Sequence, residues 1–186
     1  MGFGRRQERR EERREERGPG GPPAAGGGDH RYRMRQNILS IGDDFWIENG
    51  RGEKVYKIDG KALRVRQTLI FEDRQGNELL KIQERMLRVK DSMEIEDARG
   101  QKVAMVKKAL ITPLRERWSV DIPGANDLEV QGNILDHEYH IGHVAEVSKK
   151  WFRIADSYGI DIAPGQNDAL ILAVAVVIDM MGHSGR

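Results

Sequence analysis

The sequence contains no cysteine. Disulfides, thiolate metal sites and a cysteine nucleophile are therefore excluded, and the absence fits a cytoplasmic protein. The first 30 residues lack the apolar stretch of a secretory signal, because they are charged and rich in Gly and Pro. We therefore predict a cytoplasmic protein, either free or peripheral at a membrane.

An excess of charge of either sign is also missing. Of the 31 basic and 30 acidic residues, seven Arg and five Glu lie in residues 5–17, so the rest of the chain holds 24 basic and 25 acidic side chains. Nucleic-acid binding without sequence preference depends on many uncompensated phosphate contacts, which such a body does not offer. The charge balance argues against a specific nucleic-acid partner and leaves an anionic membrane surface or another protein.

Long hydrophobic runs are scarce, with one exception near the C-terminus, where residues 169–178 carry no polar side chain. A helix that is apolar on every face must be enclosed, and this run is shorter than the roughly 20 residues needed to cross a bilayer. We predict a buried central helix over residues 168–181, with Asn167 or Asp168 as N-cap and no transmembrane span. A buried strand and a membrane-inserted tail are the alternatives. The residues assigned to the helix core are Leu170, Ile171, Leu172, Val174, Val176, Val177, Ile178 and Asp179.

Composition divides the chain into four parts. Residues 1–17 form a low-complexity Arg/Glu arm, expected to be disordered or a solvated helix, although an Arg stripe could instead dock on phosphate or acidic protein. Residues 18–30 form a Gly/Pro-rich linker. Residues 31–182 are the predicted folded domain, and residues 183–186 are a short tail.

An Asx-x-x-Gly unit recurs at a spacing of 24 residues, beginning at Asn49, Asp73 and Asp97. The Asx side chain can bond the backbone that follows it, and the Gly accepts a positive φ, so each unit predicts a tight hairpin turn. Alternating apolar residues flank every unit, which indicates two strands per repeat. A fourth copy, out of period, begins at Asp156.

Short strands continue through the second half of the chain. They are expected at residues 115–122, 128–130, 138–141, 144–147, 149–154 and 158–162. A long antiparallel sheet has exposed edges unless it closes, and closing it around the apolar helix would enclose that helix as well. The predicted fold is mainly β: a closed antiparallel β-barrel of about twelve strands around a buried hydrophobic C-terminal helix.

An ordered set of motifs resembles the LURP-one-related family. The set comprises Met34-Arg-Gln, Phe45-x-Ile47, Gly52-x-x-Val55-Tyr56, the repeated Asp-x-x-Gly, the run from Val144 to Phe152, Asp156-x-Tyr-Gly159 and the run from Leu172 to Asp179. The resemblance covers about residues 31–181. It implies a twelve-stranded barrel around a hydrophobic helix, a fold shared with the tubby C-terminal domain and the phospholipid scramblases.

The resemblance implies little chemistry. Tubby domains bind phosphoinositides and scramblases are proposed to move lipids with calcium, but this chain has no cysteine for acylation and little sequence after Met181. No phosphoinositide-binding residue of tubby can be matched here, and none is carried over.

Basic clusters beside tryptophan are the candidate binding residues. A lipid headgroup or an acidic partner could use such cations, with Trp at the interface. Strand alternation makes one member of each Lys pair point inward or to a rim, so the patch would hold fewer outward cations than the sequence suggests. The residues are Lys107, Lys108, Arg115, Arg117, Lys149, Lys150 and Trp151.

The remaining titratable residues favour structural roles. His137, His140 and His143 are expected on the surface of a hairpin, because strand geometry cannot bring all three to one ion. Asp179 is expected at the barrel mouth, paired with an Arg, a Lys or a backbone N–H. The acidic turn residues have too few neighbouring oxygens for calcium. No metal and no cofactor are predicted.

These observations favour a non-enzymatic binding or scaffold module that engages anionic, phosphoinositide-like headgroups or a protein through its outer surface. No nucleophile elbow and no Gly-rich phosphate loop before a helix is present. A scramblase-like lipid-handling protein that extrudes its helix is the alternative. A weaker one is an enzyme using Asp179 or the histidine stretch, which loses its basis if those side chains lie far apart in the fold.

Overall fold

The computed structural model describes residues 30–35, 44–59, 68–84, 92–112, 115–151 and 156–183. These ranges hold twelve strands, a 3-10 helix at Lys149–Trp151 and one α-helix, α1, at Asp168–His183. The strands are β1 Arg31–Arg35, β2 Phe45–Asn49, β3 Lys54–Asp59, β4 Thr68–Asp73, β5 Glu78–Glu84, β6 Ser92–Asp97, β7 Lys102–Thr112, β8 Arg115–Asp121, β9 Leu128–Asn133, β10 Glu138–Ile141, β11 Ala145–Ser148 and β12 Ser157–Ile162. The predicted arm and nearly all of the predicted linker lie outside the described residues.

The strands form a closed antiparallel barrel in which each strand pairs with its neighbours in sequence. Closure comes from β1, which pairs with β12 from Arg31 opposite Asp161 to Arg35 opposite Ser157, and with β2 on its other side. The predicted barrel architecture is confirmed.

Three repeated hairpins share one geometry, as the 24-residue period predicts. In each, the N–H of the Asx residue bonds the carbonyl four residues later, and a Gly three residues after the Asx has φ between 75° and 85°. The Asp73 carboxylate accepts bonds from the N–H of Gln75 and from the N–H and side-chain amide of Asn77. These bonds, the Asn77 side chain first, lower the pKa of Asp73. A shift in strand register directly precedes each turn.

All three hairpins and the β12–α1 connection lie at one end of the barrel, because successive connections of an up-and-down barrel alternate between its ends. We call this the upper end; α1 runs from it toward the lower end. Asn167 caps the helix as predicted: its side-chain oxygen accepts the N–H of Leu170 at 3.2 Å, and its carbonyl accepts that of Ile171 at 3.0 Å.

The helix is the core of the barrel. Residues 171–180 are all buried, and the inward-facing residues of the strands, such as Phe71, Ile82, Ile95 and Val106, belong to the same cluster. Burial of each such side chain stabilises the fold by roughly 1.5–3 kcal/mol. The interior is therefore filled by the chain's own side chains.

One strand prediction is wrong. Residues 149–151, expected to begin a strand over 149–154, form a 3-10 helix, and residues 152–155 lie outside the described residues. The out-of-period unit at Asp156 has a different geometry from the three repeats. Asp156 itself has φ 61°, and Gly159 lies within β12.

Candidate functional site

Strand β1 presents a row of arginines on the outside of the barrel. Its residues alternate, with Tyr32 and Met34 buried and Arg31, Arg33 and Arg35 outward. Arg31 bridges Asp161 on β12 at 2.5 Å, and Arg33 bridges Glu48 on β2. This row was not predicted from the sequence, although the period-two spacing of Arg31, Arg33 and Arg35 indicates it.

The 3-10 helix packs against β12, beside this row. The Arg31 guanidinium lies 5.0 Å from the ring centre of Trp151, a cation–π distance. Glu138 fixes the helix start, because it accepts bonds from the Ser148 hydroxyl and from the N–H of Lys149. Burial acts to raise the pKa of Glu138, but these bonds and one from Lys150 outweigh it and leave the pKa lowered.

A pocket opens where β1 and β2 separate. These strands share two residue pairs, the last being Arg33 opposite Glu48, whereas β1 and β12 share five. Below that pair lies a cavity of about 380 Å³, which we call the seam pocket. Its lining consists of Arg33, Met34, Arg35, Asp44, Phe45, Trp46, Glu48, Lys54 and Ser157.

Both acids of the seam pocket are matched by cations. Glu48 is bridged by Arg33, and Asp44 by Lys57 at 2.9 Å. Lys57 also lies 3.4 Å from Glu72, so it is shared between two carboxylates. The hydrogen bond to Asp44 is the main cause of a raised pKa at Lys57. The Lys54 ammonium lies 5.4 Å from the ring centre of Trp46. Within the described residues no carboxylate lies within bridging distance of Arg35 or Lys54, so the pocket carries surplus positive charge.

The basic residues singled out from the sequence fall into two separate groups. Lys149, Lys150 and Trp151 adjoin β12 and β1, whereas Lys107, Lys108 and Arg117 lie on β7 and β8, on the opposite side of the barrel. In that second group Lys107 bridges Asp121, Arg117 lies 3.6 Å from Glu129, and the Lys108 ammonium stands 5.3 Å from the Trp118 ring centre. Arg115 begins β8, and its side chain lies outside the described residues.

A second polar cluster is enclosed at the C-terminal part of α1. His137 Nε2 lies 2.6 Å from Asp179 Oδ1, and both side chains are 1% exposed. The His137 ring packs on Tyr158, with ring centres 4.2 Å apart. Burial first, and the nearby Asp179 carboxylate second, raise the pKa of Tyr139 and of Tyr158.

Two sequence predictions fail at this cluster. His137 was expected on the surface, but it takes φ 52° at the end of the β9–β10 turn, and its ring contacts Tyr158 and Asp179 in the core. Asp179 was expected to pair with an Arg, a Lys or a backbone N–H at the mouth, but it is buried beside that histidine. His140 and His143 are exposed, as predicted.

The upper end of α1 has a counterpart cluster around Asp168. His30 Nδ1 lies 2.8 Å from Asp168 Oδ2, and the Tyr32 hydroxyl donates to the same oxygen. Burial, and then the Asp168 charge, raise the pKa of Tyr56 next to it. Each acid of the helix is therefore held by a histidine and adjoins tyrosines of the barrel wall.

The weaker enzyme hypothesis required Asp179 to lie close to the histidine stretch, and the structure brings Asp179 and His137 together. A histidine–carboxylate pair can accept and return a proton. Both side chains are closed off from solvent, however, so a substrate would have to enter the packed core to reach them.

No helix in the described parts of the chain combines the length and hydrophobicity needed to cross a bilayer. Across those same parts, no three His, Asp or Glu residues are grouped closely enough to hold a metal ion.

A twelve-stranded barrel closed around its own helix defines the class of protein. The profile of the LURP-one-related family matches residues 30–179, and the chain belongs to that family. A similar solved structure is the X-ray structure of a protein from Arabidopsis thaliana, with 15% sequence identity and a TM-score of 0.59. That match covers 84% of this chain and 94% of the Arabidopsis chain. No curated protein matches the chain significantly.

Proposed function

We propose that the chain is a non-enzymatic binding module that docks on an anionic membrane surface with one face of its barrel. This face, here called the arginine face, comprises Arg31, Arg33, Arg35, Trp46, Lys54 and the 3-10 helix Lys149–Trp151. The row of outward arginines on β1, flanked by two tryptophans that adjoin cations, is the observation that supports the proposal.

Tryptophan and cations together suit a membrane interface. The indole ring accepts the boundary between apolar and polar layers, and each Lys or Arg near an anionic surface contributes about 1 kcal/mol of attraction. In the group on β7 and β8, Lys107 and Arg117 lie beside acidic partners, as Arg31, Arg33 and Lys150 do on the arginine face. The arginine face differs in also holding Arg35 and Lys54, which no carboxylate of the described residues bridges. A protein partner on the same face is the competing outcome.

The scramblase-like alternative requires α1 to leave the barrel. Ten consecutive helix residues would lose their packing, and the contacts of Asp168 and Asp179 with His30 and His137 would break. The enclosed helix therefore favours docking by the outer surface over insertion.

Vesicle sedimentation tests the docking proposal. We expect the protein to bind vesicles that contain phosphatidylserine and not to bind vesicles of pure phosphatidylcholine. Binding to the anionic vesicles should weaken as the salt concentration rises. The double variant Arg35→Gln/Lys150→Gln should bind roughly 10- to 30-fold more weakly, from about 1 kcal/mol for each lost charge.

The matched control is Arg74→Gln/Arg99→Gln. It removes the same charge from two exposed hairpin residues at the upper end, and it should bind like the parent protein. Equal losses in both double variants, or equal binding to neutral and anionic vesicles, would overturn the arginine face. Retention only by a protein extract and never by vesicles would favour the protein partner instead.

A further inference from the structure

The seam pocket is a cleft within the arginine face. It is bounded by β1 and β2 at the place where their pairing ends, with a contribution from Lys54 on β3 and Ser157 on β12. Its volume of about 380 Å³ lies within the range of small-ligand sites, roughly 300–1,000 Å³. A single ligand of defined shape therefore fits it better than a broad electrostatic contact does.

Two cations of the pocket indicate a dianion. Arg33 bridges Glu48, and Lys57, outside the lining, bridges both Asp44 and Glu72. The guanidinium of Arg35 and the ammonium of Lys54 are the lining cations that no carboxylate of the described residues bridges. A phosphate monoester carries about −1.5 to −2 charges at neutral pH, whereas a phosphodiester or a carboxylate carries one. A monoester is therefore the common biological anion that balances both cations.

The rest of the lining indicates that the phosphate is attached to an organic group. The half-buried Trp46 supplies an aromatic wall, whereas Met34 and Phe45 are nearly fully buried and contribute little surface. The Ser157 hydroxyl adds a neutral donor. The cavity is larger than a phosphate group alone needs, so the space beside Trp46 has room for a short carbon skeleton.

We infer that the seam pocket binds the phosphate monoester of a small organic group, with Arg35 and Lys54 as the charge-neutralising residues. The inference rests on the proposed function in placing this site within the membrane-facing surface. The monoester could come from a free phosphorylated metabolite or from a lipid headgroup, and the pocket chemistry is the same for both.

Titration of the full chain with soluble probes tests the site, using Trp46 fluorescence and calorimetry. Glycerol 1-phosphate should bind saturably, at least about 10-fold more tightly than the diester dimethyl phosphate, because the diester lacks the second charge. Its affinity should fall as pH drops from about 7 to about 5, where the monoester gains a proton. Trp46→Phe should remove the fluorescence change, which identifies Trp46 as the reporter.

Variants locate the binding. Lys54→Gln and Arg35→Gln should each weaken glycerol 1-phosphate binding about 10-fold, as expected for loss of one charge-assisted contact, while Arg99→Gln should leave it unchanged. Equal affinity for monoester and diester, equal loss in Arg99→Gln, or no saturation up to about 10 mM would overturn the site.

Vesicles distinguish the two sources and separate this inference from the docking proposal. Preference for phosphatidic acid over phosphatidylglycerol at matched surface charge, lost in Lys54→Gln, would identify a lipid monoester. Binding of soluble glycerol 1-phosphate without vesicle binding would support the pocket with a free metabolite and overturn docking. Equal binding to both anionic vesicles without soluble binding would support docking and overturn the pocket.

Discussion

His137 and Asp179 form a buried pair whose removal should be costly to the fold. Each is 1% exposed, so deleting one side chain leaves the other in the core without this hydrogen bond. We expect Asp179→Ala to lower the free energy of unfolding by about 3–5 kcal/mol, the range for breaking a buried pair. Urea denaturation measures the loss.

A double-mutant cycle isolates the pair. His137→Ala/Asp179→Ala should lose clearly less stability than the two single losses added together, because the second removal takes away a group already deprived of its partner. His140→Ala, on the exposed side of the same strand pair, should change stability by at most about 0.5 kcal/mol. Strict additivity of the two core substitutions would show that the pair is not coupled.

Tyr139 and Tyr158 should make the fold sensitive to alkali. Their pKa values are raised in the folded state, so above pH 10, the ordinary tyrosine value, the unfolded chain releases protons that the folded chain retains. Their contribution is complete below pH 10 and is lost as pH rises beyond it, by up to about 1.4 kcal/mol per pH unit for each tyrosine.

Urea midpoints between about pH 9 and 11.5 measure this slope. Tyr139→Phe should reduce the fall of unfolding free energy with pH by the contribution of one tyrosine. Absorbance at about 295 nm should show two of the four tyrosines titrating only when the protein unfolds. Ionisation of all four in the folded protein would contradict the prediction.

At this scale the sequence identifies fewer functional residues than the structure does. Strand alternation predicted that His137 lies on the surface of a hairpin. The backbone at His137 is left-handed, which turns the ring inward, and the local sequence does not indicate this conformation. The outward arginines of β1 were predictable from their spacing. The pocket beside them was not, because it depends on where the β1–β2 ladder stops.

Among the elements, the β9–β10 hairpin carries His137, and Gly132 determines its shape. A Cβ at Gly132 would lie 2.4 Å from the Glu138 carbonyl oxygen and 2.6 Å from the Tyr139 Cα. We expect Gly132→Ala to destabilise the protein by more than about 3 kcal/mol, since backbone on both strands must move. Thermal unfolding gives the measurement.

Gly124→Ala is the matched control. Gly124 also has a positive φ, of 79°, but nothing lies within 4 Å of the place that a Cβ would take there, so only the backbone conformation is disfavoured. The expected loss is about 1 kcal/mol. Similar losses for the two variants would show that the close approach at Gly132 relaxes at little cost.

The elements themselves were largely predictable, because their signals are local. The Asx residue and the Gly of each repeated hairpin determine the turn through bonds within five residues, and the sequence shows both. The 3-10 helix was missed because Lys149-Lys-Trp151 has no such signature. Its start depends on Glu138, eleven residues earlier in the chain.

For the whole molecule, enclosure of α1 predicts which segment is the last to unfold. Amide protons of residues 171–180 should exchange only on global unfolding, with an exchange free energy equal to that from urea denaturation. Amides of the Asp97–Gly100 turn should exchange far faster. Hydrogen exchange followed by mass spectrometry resolves both segments.

The same measurement in the presence of anionic vesicles separates docking from helix extrusion. Docking by the arginine face leaves protection of α1 unchanged. A subset of molecules that exchange residues 171–180 without unfolding elsewhere would contradict the closed barrel as the membrane-bound form.

Closure of β1 against β12 also sets the order of events during synthesis. The ribosome must make Ile162 before the first strand has its last partner, and only then does the segment that fills the interior emerge. Contacts this distant along the chain slow folding, and eleven strands meanwhile expose apolar inner faces to their surroundings. Nascent chains of this protein should therefore depend heavily on chaperones until translation of α1 is complete.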